Sequence, residues 1–223
     1  SEVAQVTQVE APDDTTVVLT LSQPYSPLLA TLSDRAGMII SPKAIAELGD
    51  DLARNPVGTG AFTFVENGVI AKDLTLEGQG GGSTVIQSPA NIPVSWGTNR
   101  AVVYVHDADV TIRDLTVDGA GHGNLNNRFI GIAYYNADGL IDSVHVTGIR
   151  DTPLNGTQGG NGIYALVDDG GPHTVTVQDS TVDDFQKNGI TMNGVGLTAH
   201  VRDNTVTGAG PTAVIAQNGI QIG

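Results

Sequence analysis

Cysteine is absent from this 223-residue chain, which excludes disulfides, a thiol nucleophile and any Cys-ligated zinc. Basic residues are scarce: ten Lys and Arg stand against 24 Asp and Glu, a formal net charge of −14. So acidic a chain offers no positive footprint for nucleic acid or an anionic membrane, and admits a polyanionic sugar only through a bridging cation. No apolar run approaches the roughly 18 residues that suggest a membrane span. The sequence opens at Ser1 without a basic and then apolar leader, so an export signal is expected to have been removed or never included. The histidines, His106, His122, His145, His173 and His200, show no HxH or HExxH spacing, which argues against a metal site. The length suits one domain or two and is ample for a buried core.

What is present divides the chain in two. Residues 1–66 hold 4 of the 29 glycines, and residues 67–223 hold the rest. All five glutamates lie at or before Glu77; every later acid is Asp, a turn residue, whereas Glu favours helices. These shifts predict two modules meeting near residues 62–67, an α+β segment over 1–66 and a repetitive β unit over 67–223.

In the first module, Ala11-Pro12-Asp13-Asp14 is a turn signal before the β-prone Val17-Val18-Leu19-Thr20-Leu21. Ser26-Pro27 opens a helical run at Leu28–Leu32, and Ser41-Pro42 opens another at 43–48, stopped by Gly49. Asn55-Pro56-Val57-Gly58-Thr59-Gly60 reads as a tight loop, and Phe62-Thr63-Phe64-Val65 alternates as a strand. Three phrases resemble one family in its own order. They are Val9-Glu10-Ala11-Pro12-Asp13-Asp14 with Thr16-Val17-Val18; residues 34–44; and Asn55 through Gly60 with Ala61-Phe62. The family is the oligopeptide/dipeptide-binding class (family 5) of extracellular solute-binding proteins of ABC transporters. It has Pro where this chain has Ala61, and its members are several times longer than this segment. The resemblance implies an extracytoplasmic, secreted or periplasmic, location and a peptide-binding ancestry.

The second module repeats. Asn161-Gly162-Ile163, Asn188-Gly189-Ile190 and Asn218-Gly219-Ile220 recur, and a period of roughly 20 to 30 residues built from short β-prone runs with Gly, Asn and Asp corners signals a solenoid. One register runs through Val103, Ile132, Ile163, Ile190 and Ile220; another through residues 71–76, 112–117, 141–146, 177–182 and 201–206. These phrases, with Asp73-Leu74-Thr75-Leu76-Glu77-Gly78-Gln79-Gly80, resemble the right-handed parallel β-helix of the pectate-lyase-like superfamily over about two-thirds of the chain. The expected fold is therefore mainly β: a right-handed parallel β-helix of about five rungs preceded by a small α+β segment.

Period-two alternation assigns faces. Val103, Ile132, Ile163, Ile190 and Ile220 point inward, as do Val105, Tyr134, Ala165, Met192 and Ile222. Outward lie Tyr104, Ala133, Tyr164, Thr191 and Gln221, then His106, Tyr135, Leu166 and Asn193. In the other register the outward column is Thr75, Thr116, His145, Thr181 and Thr205, with Asp114, Ser143, Asp179 and Asp203 at a corner. Amphipathic rings stack on sugar faces and still hydrogen-bond. Tyr104, His106, Tyr135, Tyr164 and Asn193 are thus the expected ligand-binding residues.

Chemistry is less well supplied. A glycosidase needs two carboxylates about 5 to 10 Å apart on one surface, and the outward columns of the second register hold none. Asp168-Asp169 and Asp183-Asp184 read as turn residues holding their own amides. No catalytic residue and no metal ligand are assigned; Ca²⁺ between Asp179 and Asp203 is the one cofactor left open. The pattern favours a non-catalytic module that binds carbohydrate or acts as a scaffold. A polysaccharide lyase or hydrolase, peptide capture for an ABC importer, and a recombined or artificial fusion without evolved function are the alternatives. Gly219-Ile220-Gln221-Ile222-Gly223 ends mid-rung, so either further rungs or end-to-end self-association is expected there.

Overall fold

The computed structural model describes residues 3–13, 15–32, 41–49, 68–80 and 82–223. Its contacts divide the chain into two compact units, Ser1–Thr59 and Gly60–Gly223. The phrases at 34–40 and 55–62, the strand expected at 62–65 and the boundary expected at 62–67 lie outside the described residues.

In the first unit, β1 (Val6–Asp13) pairs antiparallel with β2 (Thr16–Leu21). The expected turn at residues 11–14 falls later, because Ala11, Pro12 and Asp13 belong to β1. Pro12 has no N–H for the ladder, and the register shifts across it, from Glu10 opposite Val18 to Asp13 opposite Thr16. Asp13 Oδ1 accepts from the Thr15 N–H and hydroxyl, each at 2.9 Å, and fastens the reversal. Two short helices follow, α1 (Leu28–Leu32) after Ser26-Pro27 and α2 (Pro42–Leu48) before a left-handed Gly49.

The second unit is made of short parallel strands. In chain order they are β3 (Val69–Ile70), β4 (Leu74–Glu77), β5 (Val85–Gln87), β6 (Arg100–His106), β7 (Asp109–Arg113), β8 (Thr116–Asp118), β9 (Phe129–Tyr135) and β10 (Asp138–Asp142). Then come β11 (His145–Thr147), β12 (Asn161–Leu166), β13 (His173–Gln178), β14 (Thr181–Asp183), β15 (Asn188–Asn193), β16 (Leu197–Arg202), β17 (Thr205–Thr207) and β18 (Asn218–Ile222). Each strand bonds to the third strand along the chain. This gives three sheets, β4-β7-β10-β13-β16, β5-β8-β11-β14-β17 and β3-β6-β9-β12-β15-β18.

The expected class, a right-handed parallel β-helix of about five rungs behind an α+β segment, is therefore corrected. The described strands form three discrete parallel sheets of five, five and six strands, stacked with few helices, apart from the antiparallel pair β1-β2. The physical reason lies at the corners. Asp114, Ser143, Asp179 and Asp203 all take left-handed φ, between 49° and 56°, and cut what reads in sequence as one run into two strands of different sheets. The first repeat of that register is also displaced. Leu76 pairs with Ile112, and Val85, not Thr75, stands beside Thr116, because Gly-rich residues 78–83 separate β4 from β5.

The six-stranded sheet follows its expected columns. Val103, Ile132, Ile163, Ile190 and Ile220 are partners in turn, as are Val105, Tyr134, Ala165, Met192 and Ile222. Their inner members join Ile112, Ile141 and Val177 of one sheet and Val117, Val146 and Val182 of the other in one apolar core. Full burial of each such side chain contributes about 1.5–3 kcal/mol. Glycine sets how closely the sheets approach. A Cβ at Gly162 would lie 2.4 Å from Val182 Cγ1 and 2.6 Å from the Gly189 carbonyl oxygen. Beside it, Asn218 Nδ2 donates to Asn188 Oδ1 at 2.8 Å, so the Asn of the recurring Asn-Gly-Ile phrase links neighbouring strands.

Because the carbonyl facing Gly162 is backbone, the sheet must shift to admit a methyl group. Gly162→Ala is expected to cost about 1–3 kcal/mol in urea unfolding; an unchanged midpoint would contradict this account of the packing.

Candidate functional site

The outer face of the six-stranded sheet carries the expected aromatic residues, with one addition. Tyr104, Ala133 and Tyr164 are partners in one column, and His106, Tyr135, Leu166 and Asn193 in the next. Ala133 is the small member between two tyrosines, and it leaves a notch. Trp96, the single tryptophan of the chain, comes from the loop between β5 and β6 and packs there. Its ring stacks on Tyr104 (centroids 5.2 Å apart), Tyr135 (5.1 Å) and Tyr164 (6.3 Å), with planes within 17°. His106 stacks on Tyr104 at 4.9 Å. Asn193 stands beyond Leu166 in its column and is not part of the ring cluster.

The loop is built to hold that ring. Gly97 is left-handed, and Ser95 and Asn99 close the turn, the Ser95 N–H donating to Asn99 O and the Asn99 N–H to Trp96 O, each at 2.8 Å. Ser95 Oγ accepts from the Ala101 N–H, Asn126 Oδ1 from the Ile92 N–H, and the Arg100 guanidinium donates to Ile92 O. Alternation along the strands places Tyr104, Tyr135 and Tyr164, but nothing periodic marks Trp96. The only signal for it was the small Ala133 between two outward tyrosines.

Acidic groups edge the cluster. Tyr135 OH donates to Asp168 Oδ2 at 3.3 Å, Asn136 Nδ2 donates to Asp168 Oδ1 at 3.0 Å, and His106 Nδ1 lies 2.8 Å from Asp107 Oδ2. Burial, and then the neighbouring Tyr135, Asp107 and Asp168, push the Tyr104 phenol up to about 12. The hydrogen bond to Asp168 raises Tyr135 as well.

The paired candidates Asp183 and Asp184 are engaged. Asp183 accepts from Thr147 Oγ1 and lies 2.9 Å from His145 Nε2; Asp184 accepts from Arg150 Nε at 2.6 Å. Arg202 donates to Gln178, and Arg113 donates to Glu77 Oε2 at 2.9 Å. Among the described residues no group of three or more His, Cys, Asp or Glu is arranged to hold a metal ion. His173 has a carboxylate on each ring nitrogen, Asp138 Oδ2 at 2.9 Å and Asp169 Oδ2 at 3.0 Å, an arrangement that favours a proton on both. The bond to Asp169, with help from Asp138, raises the His173 pKa against its burial; the bonds to His173 and to the Gly171 N–H lower that of Asp169.

Comparison with known proteins matches part of the chain. Residues 2–76 match the family described as bacterial extracellular solute-binding proteins, family 5 Middle. The "Glutathione-binding protein GsiB" of Pectobacterium atrosepticum is 40% identical over 60 residues, 27% of this chain and 12% of that protein. The protein of the same name from Escherichia coli O157:H7 is 40% identical over 57 residues, 26% of this chain and 11% of its own. The "Probable D,D-dipeptide-binding periplasmic protein DdpA" of Escherichia coli K12 is 42% identical over 60 residues, 25% of this chain and 12% of its own. The chain thus spans about 12% of the length of these curated relatives. No solved structure matches. No described helix is long and apolar enough to cross a membrane.

Two expectations follow. Trp96→Ala uncovers Tyr104, so in a spectrophotometric titration one tyrosine moves from about 12 toward about 10; an unmoved curve would show that Trp96 does not bury it. The His173 bridge stabilises the fold fully below 6.5, its ordinary value, and loses that contribution as pH rises through the raised folded value. The lowered Asp169 contributes fully above 3.8 and loses that as pH falls through its depressed value. Melting midpoints of wild type and His173→Gln should therefore differ most between about pH 4 and about pH 6.5 and converge at alkaline pH.

Proposed function

We propose that this chain works outside the cytoplasm as a ligand-binding protein of the peptide-capture kind associated with ABC uptake. The observation that carries this reading is the match of residues 2–76 to the family 5 solute-binding proteins, whose relatives are named for binding glutathione and, provisionally, D,D-dipeptides. We divide the chain, on its glycine and glutamate distributions, into a peptide-binding-type segment over 1–66 and a repetitive β unit over 67–223. Isothermal titration calorimetry with glutathione and a D,D-dipeptide tests the proposal. Binding with a Kd below about 1 mM is expected, and absence of heat with both peptides removes it.

A second reading is favoured by Trp96. Four aromatic rings with phenol and carboxylate groups at their edge suit the apolar face and hydroxyls of a sugar ring. Trp96, His106, Tyr135 and Tyr164 would supply the surface, with Tyr104 buried against Trp96 and Asn193 further along the neighbouring column. Trp96 is the chain's one indole, so its emission reports on this face alone. Neutral oligosaccharides are expected to shift that emission, and Tyr135→Ala or Tyr164→Ala to abolish the shift. An unresponsive spectrum across a glycan panel rules the reading out.

A further inference from the structure

A cavity of about 240 Å³ lies away from the aromatic face, between the loop before β9 and the loop between β11 and β12. We propose that it binds a small zwitterion of the α-amino acid class, with Asp151 receiving the ammonium group and Arg128, assisted by Arg150, receiving the carboxylate. The inference is independent of the peptide reading, since it uses no residue before Gly123.

The first observation is a buried carboxylate that is only half satisfied. Asp151 is 6% exposed and lines the cavity with Gln186, which is 1% exposed. Asp151 Oδ2 accepts from Asn155 Nδ2 at 2.7 Å and from Gln186 Nε2 at 3.4 Å. Both donors are neutral, and among the described residues no hydrogen bond reaches Oδ1. Oδ1 is not sealed from solvent, so a cationic donor entering the cavity can reach it and form a charge-assisted bond. Gly123 keeps the oxygen uncovered: a Cβ at that position would lie 2.4 Å from Asp151 Oδ1.

The second observation is a pair of guanidinium groups at the same cavity. Arg150 is held in place, Nε on Asp184 Oδ1 at 2.6 Å and Nη1 on Asp151 O and Thr152 Oγ1 at 3.1 and 3.0 Å. Its Nη2 receives no acceptor among the described residues. Arg128 has no side-chain hydrogen bond or ion pair among the described residues, and it sits at φ 47°, a backbone conformation unfavourable for a residue with a Cβ. Planar guanidinium groups match a carboxylate better than any other side chain does.

Charge and size then choose the ligand. Arg128 and Arg150 against Asp151 and Asp184 sum to zero, so a ligand with separated but balanced charges fits better than a simple anion or cation. At about 240 Å³ the cavity lies below the roughly 300–1,000 Å³ of pockets for drug-sized ligands, which favours a molecule as small as a free amino acid.

The test is calorimetry on the full chain with three probes of one shape: L-serine, L-serinamide, which lacks the carboxylate, and L-glycerate, which lacks the ammonium. L-serine is expected to bind, with each analogue weaker by at least about tenfold, as loss of a charge-assisted pair implies. Arg128→Ala replaces an exposed side chain, so the fold should survive, which a melt verifies; it should weaken L-serine by about tenfold or more while leaving any glutathione heat unaltered. No heat from L-serine, glycerate binding as tightly as serine, or unchanged serine affinity in Arg128→Ala each overturns the proposal.

Discussion

The parallel register of the six-stranded sheet is the constraint from which the rest of the larger unit follows. Once Val103, Ile132, Ile163 and Ile190 stack, every neighbouring residue is committed to a face, because a shift of one position would turn the apolar column outward. The glycines of the adjoining column let valines of the second sheet approach the backbone, so the two sheets pack closely. The aromatic face is a by-product of that commitment. Tyr104 and Tyr164 can flank Ala133 only because their strands are locked two apart, and the notch that seats Trp96 exists only in that register.

Much of this was legible in the sequence, and the failures have identifiable causes. The inner and outer columns of the six-stranded sheet were readable because Asn-Gly-Ile recurs and fixes the phase. The other register was misread at its first repeat, where a Gly-rich stretch separates β4 from β5, and its left-handed corners concealed a division between two sheets. That is why a two-register reading gave the wrong class. Trp96 was not placed by its own spacing, because a loop residue has no period. The same holds for Arg128, Asp151 and Gln186, which belong to connections rather than to columns, so their meeting at one cavity is a tertiary fact.

Charge organises the surface differently from apolar burial. In a chain of net charge −14, the basic side chains are drawn into local partnerships, Arg113 with Glu77, Arg150 with Asp184, and Lys187 with the Ala216 carbonyl. Exposed pairs of this kind contribute little individually. Their larger effect is to orient side chains, which is why a lone arginine beside a half-satisfied carboxylate stands out against this background.

The connection lengths carry a consequence for how such a chain can change. The segments that lead into the six-stranded sheet leave at corners, and the one at 184–187 is short while those at 88–99, 119–128, 148–160 and 208–217 are long, yet the paired columns stay in register. Insertions and deletions at these corners therefore leave the ladder unchanged, since lengthening an already open loop adds little closure entropy. The unit separates a scaffold of paired strands from peripheral segments of unequal length. Descendants of one such chain can acquire different pockets by indels alone, with no compensating substitution in the core.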